Sequence, residues 1–152
     1  MRLDPEQCRR HVVGARFAVL ATQGRDGAAD LVPITFALIR LGSTDLLVSA
    51  VDHKPKSTSQ LARLANIQSR PLVTVLFDHR DDDDWSALWW VRARGPATVR
   101  PPGFALEALV DRYPQYRSNP PHGQVVAVEI ATWQGWSARD GLTTPGHPRG
   151  TA

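Results

Sequence analysis

Arg16-Phe17-Ala18-Val19-Leu20-Ala21-Thr22, then Gln23-Gly24-Arg25-Asp26-Gly27, then Leu31-Val32-Pro33-Ile34-Thr35-Phe36-Ala37-Leu38 read together as a β-hairpin. Two apolar runs rich in β-branched residues flank a cluster of turn residues. Pro33 offers no amide to a ladder, which places the second run at a sheet edge or on a bulge and leaves backbone open to a ligand. Upstream, Asp4 caps a short helix with Pro5 in its first position and Gln7 reaching back, and Gly14 closes it. Downstream, a third strand at 46–51 stops at Asp52-His53-Lys54-Pro55. Leu61, Leu64, Ala65 and Gln68 then recur at helical spacing, so a helix capped by Ser57 or Thr58 runs to Ser69 with that stripe against a core. Strands follow at 72–77 and 88–99, separated by a solvated loop at 81–84; a helix spans 104–110 and a sixth strand spans 124–136.

This order predicts a mainly β fold with few α-helices: a six-stranded antiparallel barrel with short flanking helices. A doubly wound sheet would need a helix after nearly every strand. Residues 1–140 form one domain in this reading, and the Gly/Pro-rich residues 141–152 form a loose tail. The 152 residues, 42% hydrophobic and 22% charged, suit a single domain. Cys8 is the one cysteine, which excludes an intramolecular disulfide and a multi-cysteine zinc site and suits a reducing cytoplasm. No stretch approaches the roughly 20 apolar residues of a membrane span, so neither secretion nor membrane insertion is expected. A net charge of +3 is weak ground for a nucleic-acid partner.

Among 18 basic residues only Lys54 and Lys56 are lysines. They sit in Asp52-His53-Lys54-Pro55-Lys56-Ser57-Thr58-Ser59, between a strand and a helix N-terminus, where free amides, the helix dipole, two ammonium groups and three hydroxyls suit one phosphate group. No glycine-rich run precedes Lys56, so a nucleotide triphosphate is not expected. The plainer alternative is two surface charges and a helix cap. Asp52-His53 and Asp78-His79 end two strands and would bind a metal only if adjacent in space; solvated strand ends are the preferred reading, and no metal is expected. Trp85, Trp89 and Trp90 precede Arg92 and Arg94, and strand alternation sends Trp89 and Trp90 to opposite faces. The neighbouring aspartates argue against nucleic-acid stacking there. Neither a Gly-x-Ser-x-Gly elbow nor a Gly-x-Gly-x-x-Gly turn is present.

Phe17-Ala18-Val19-Leu20-Ala21-Thr22, Leu31-Val32-Pro33-Ile34-Thr35-Phe36, Val51-Asp52-His53-Lys54-Pro55-Lys56, Arg63-Leu64-Ala65-Asn66-Ile67, Val75-Leu76-Phe77-Asp78-His79 and Asp84-Trp85-Ser86-Ala87-Leu88-Trp89-Trp90-Val91-Arg92 resemble the pyridoxamine 5′-phosphate oxidase-like flavin-binding split β-barrels. Within that class they are most similar to the actinobacterial branch assigned as coenzyme F420-dependent oxidoreductases. The resemblance implies a homodimer with two cofactor sites at the subunit interface, a small-molecule substrate, and hydride transfer from reduced F420. It places Val32, Pro33 and Ile34 along the cofactor ring with Ser49, Ala50 and Val51 opposite. Lys54, Lys56, Ser57 and Thr58 would hold the phosphate, and Asp78 and His79 would join the cofactor site, with Trp90 approaching from the other subunit. FMN is the alternative cofactor, for an oxidase or reductase of the same fold, and a non-catalytic flavin or deazaflavin carrier is the other alternative; Leu31 to Thr35 stand where flavin-binding relatives of the oxidase type place basic residues, which favours the deazaflavin.

Overall fold

Asp4 accepts from the Gln7 amide at 2.7 Å while the Gln7 side chain accepts from the Asp4 amide at 2.8 Å, and this capping box opens α1 (Pro5–Gly14). The computed structural model describes residues 1–51 and 58–139, with the backbone alone for 58–61. Lys54, Lys56 and Ser57, the anion-loop residues of the sequence reading, therefore lie outside the described residues, as do Asp52, His53 and 140–152. Cys8 and Val12, one turn apart and buried, seat α1 on the sheet. A two-residue strand, β1 (Arg2–Leu3), pairs with β9 (Thr132–Ser137) beside it.

The hairpin consists of β2 (Ala18–Gln23) and β3 (Ala29–Ile34), with Val19 opposite Pro33 and Leu20 opposite Val32. The strand expected over 31–38 is in fact two. β3 stops at Ile34, and β4 (Ala37–Leu41) starts the other half of the sheet by pairing with β5 (Thr44–Ala50). The break has a tertiary cause. The Tyr113 hydroxyl accepts from the Phe36 amide at 3.0 Å and lies 2.7 Å from the Arg16 carbonyl, and the Tyr116 hydroxyl meets Thr35 Oγ1 at 2.7 Å. Both tyrosines come from the helical corner α3 (Leu106–Arg112) and α4 (Pro114–Ser118), of which α4 is a further short helix beyond the sequence reading.

After α2 (Thr58–Ser69) come β6 (Leu72–His79), a 3₁₀ turn at Trp85–Ala87, and β7 (Trp89–Arg100). The expected sixth strand divides into β8 (Val125–Glu129) and β9, because Ile130 and Ala131 send their amides to Asp45 (2.9 Å) and Arg94 (2.8 Å) carbonyls. The strand order is β3-β2-β6-β7-β8-β5-β4, all antiparallel, with β9 on the first half of β7 and β8 on its second half. Nine strands thus replace the expected six among the described residues, and the mainly β split barrel with short flanking helices stands.

The inward faces of β2, β6 and β7 place Leu20, Val75, Phe77 and Val91 in one core with Phe36, whose ring meets Phe77 edge-on at 5.0 Å. A second cluster joins Leu109 and Tyr113 to Val48 and Val125. The stripe on α2 is rotated from expectation: Ala65 and Gln68 are exposed, while Asn66 and Ile67 are buried. Several 3.6-residue frames fit this sequence, and the Asn66 amide decides between them by donating to Thr22 Oγ1 (3.1 Å) and Asp30 Oδ2 (2.8 Å).

Asp45 is 6% exposed and accepts from Arg9 Nε at 2.8 Å, with Arg40 at 3.6 Å, tying α1 to β4 and β5. Asp45→Ala is expected to cost about 1.5 kcal/mol by leaving Arg9 without its carboxylate, read as a lower urea midpoint. An unchanged midpoint would show that solvent replaces the pair at no cost. Among the described residues no helix is long and apolar enough to cross a membrane.

Candidate functional site

The first group of candidate residues borders the place where β3 leaves β4. Ile34 belongs to the core and Val32 packs against it, while Pro33 faces outward, so these side chains do not share one surface. Ser49 and Val51 are buried, and Ala50 packs half-buried against the second cluster. Ala37 pairs with Val48, and that register carried back one residue sets Phe36 across from Ser49. The ends of β3 and β5 therefore flank the split chiefly through backbone. Thr58 opens α2, its side chain being outside the description.

Arg63, a functional candidate that sequence reasoning passed over, lies on the inner face of α2. It precedes Asn66 by three residues and Ile67 by four, so all three share one side of the helix. Among the described residues its buried Nε has no hydrogen-bond partner and the guanidinium has no ion pair. Burial pulls its pKa below the ordinary arginine value, yet a guanidinium stays charged. A half-buried cation with an unmet donor is a standing demand for an anion. The sequence carried no signal for it, because the stripe of Leu61, Leu64, Ala65 and Gln68 puts Arg63 on the opposite side of the helix.

The second group occupies the outer face. Asp78 opposes Trp90 across β6 and β7, and both line a cleft of about 510 Å³ with Leu76, Arg80, Asp81, Asp82, Trp85, Leu88 and Trp89. His79 is not part of it; it pairs with Trp89 and its ring lies 6.4 Å from the indole, whose other neighbour is His11 at 4.9 Å and nearly parallel. Burial, then the nearby Arg10 charge, lowers the His11 pKa. Trp85 stands 79% exposed over the cleft. Its backbone is fixed by Asp84, which accepts from the Ser86 hydroxyl and amide and from Arg139, and Arg139 also reaches Ser86 Oγ at 3.0 Å. The Ser86 hydroxyl, with help from the Ser86 amide and Arg139, holds the Asp84 carboxyl below its usual pKa. Among the described residues no three His, Cys, Asp or Glu side chains are grouped to hold a metal.

The sequence profile of the pyridoxamine 5′-phosphate oxidase family matches residues 4–137. The chain belongs to that family. Solved structures with the same fold include a conserved hypothetical protein of Mycobacterium tuberculosis, 19% identical, with a TM-score of 0.64 over 97% of this chain and 95% of that one. The FAD-binding protein of Mycobacterium smegmatis is 17% identical, with a TM-score of 0.60 over 90% and 97%. An FAD-binding protein of Mesorhizobium loti is 16% identical, with a TM-score of 0.59 over 89% and 93%. No curated protein matches the sequence. In this member of the pyridoxamine 5′-phosphate oxidase family, the split, Arg63 and the outer cleft are features with chemistry to offer among the described residues.

Proposed function

We propose that the chain is a coenzyme F420-dependent oxidoreductase that moves a hydride between the reduced deazaflavin and a small organic acceptor. Arg63 carries this reading: a phosphate or carboxylate of a bound cofactor would satisfy a buried guanidinium that has no partner among the described residues. Lys54, Lys56, Ser57 and Thr58 would join it at the phosphate. Val32, Pro33, Ile34, Ser49, Ala50 and Val51 would flank the ring at the split. F420 bound there would supply the hydride, and the chain would supply orientation and charge.

The same reading makes the chain a homodimer. Pairing register puts Leu31, Leu72, Leu76 and Trp136 on one outer face, with Arg92 and Arg94 among them, and Leu31 and Leu72 are 67% and 64% exposed. Exposed leucines of this kind support a subunit contact that would bring Asp78 and Trp90 of one subunit toward the ring held by the other. A buried, unpaired Cys8 suits a reducing cytoplasm. A flavin reading, with FMN in the site, draws support from the two FAD-binding proteins of the same fold. The lack of basic side chains over 31–35 favours the deazaflavin instead.

Titration with oxidised F420 and, separately, with FMN, followed by quenching of cofactor fluorescence, is expected to give saturable binding of F420 and weak binding of FMN. The reverse preference would move the protein to the flavin reading, and binding of neither would overturn both. Acceleration of cofactor oxidation by added acceptors separates an enzyme from a carrier.

A further inference from the structure

We propose that the outer cleft selects a planar organic cation as the hydride acceptor, an inference that rests on the oxidoreductase reading above. The floor is apolar, built from Leu76, Leu88 and Trp90, and the exposed Trp85 indole stands at its edge. An indole face attracts cations through its quadrupole, so a flat cation gains there what a flat neutral molecule does not. The mouth adds charge. Asp78 is matched by Arg80 at 2.9 Å, but Asp81 and Asp82 have no cationic partner among the described residues. Asp81 is held in place by the amides of Asp83 (2.9 Å) and Asp84 (3.2 Å), so its charge is fixed at the opening. Two uncompensated carboxylates on a chain of net charge +3 make this mouth complementary to a cation and repellent to an anion. A volume of about 510 Å³ suits a small fused-ring molecule.

Hydride transfer to such an acceptor balances simply. The cation takes up two electrons and one proton as hydride and becomes neutral, while the reduced deazaflavin, oxidised by that loss, also releases one proton to water. The acidic mouth thus holds the substrate more firmly than the product, which favours product release.

The probes are methylene blue, a planar cationic two-electron acceptor, and the anionic dye 2,6-dichlorophenolindophenol. Binding of each is measured by equilibrium dialysis without cofactor. Methylene blue is expected to bind about tenfold more tightly at low salt, and Trp85→Ala to weaken it about tenfold. The preference is expected to fall toward unity in an Asp81→Asn, Asp82→Asn double variant and at about 0.5 M salt, as exposed charges require. These asparagines keep an oxygen for the loop amides, so folding is preserved. Equal binding of the two dyes, or a preference untouched by the asparagines, would overturn the proposal. Dye selectivity without F420 or FMN binding would instead sink the oxidoreductase reading and leave the cation site standing.

Discussion

Gly95→Ala is expected to lower the stability of the fold by about 3 kcal/mol, at the upper end of overpacking costs. Gly95 sits midway along β7, where β9 gives way to β8, and the chain passing from β8 to β9 crosses directly over it. A Cβ on Gly95 would lie 1.8 Å from the Glu129 carbonyl oxygen and 3.1 Å from the Ala131 nitrogen, both backbone atoms. No rotamer change relieves a clash between backbones. The crossing would have to lift, and the hydrogen bonds from Ala131 to Arg94 and from Ile130 to Asp45 would lengthen together. Gly14→Ala is the matched control: a Cβ there meets nothing within 4 Å, the residue ends α1 without a positive φ, and alanine should stabilise by about 0.5 kcal/mol. Urea unfolding of the two variants decides the point. A Gly95→Ala midpoint within error of the parent would mean that the crossing is looser than described.

That crossing also marks where the sequence stopped being legible. The capping box of α1, the β2–β3 hairpin and the edge position of Pro33 follow from local chemistry, and the structure reproduces each of them. The divisions at Thr35-Phe36 and at Ile130-Ala131 have no local signal, for neither pair holds glycine or proline. Each is made by partners far along the chain, Tyr113 and Tyr116 in one case and Asp45 and Arg94 in the other. β1 is two residues long and exists through its pairing with β9, so no periodicity could reveal it. The site divides in the same way. Alternation along β7 placed Trp90 and Trp89 on opposite faces, which puts Trp90 beside Asp78 and Trp89 against His11. The same alternation along β6 parts Asp78 from His79. Spacing alone could not tell that the face of α2 turned to the core contains Arg63.

Arg63→Met is expected to act in opposite directions on stability and on cofactor affinity. Among the described residues the Nε has no partner, so exchanging the guanidinium for an apolar chain of similar reach removes an unmet donor and a half-buried charge. Stability should stay level or rise by about 1 kcal/mol. Affinity should fall, because the anion that answers the guanidinium loses a charge-assisted contact worth roughly 1.5–3 kcal/mol, about one to two decades in Kd. The loss should appear with ligands that carry phosphate and vanish with those that lack it, so FMN and riboflavin form one diagnostic pair and F420 and its phosphate-free deazaflavin core another. Lys56→Ala should show the same dependence on phosphate if the loop and the helix serve one anion. A residue that gives up stability for a ligand it awaits has this signature, and a structural arginine has the reverse. Destabilisation by more than about 1 kcal/mol with unchanged affinity would place the partner of Arg63 within the protein, and the strongest support for a phosphate-bearing cofactor would be gone.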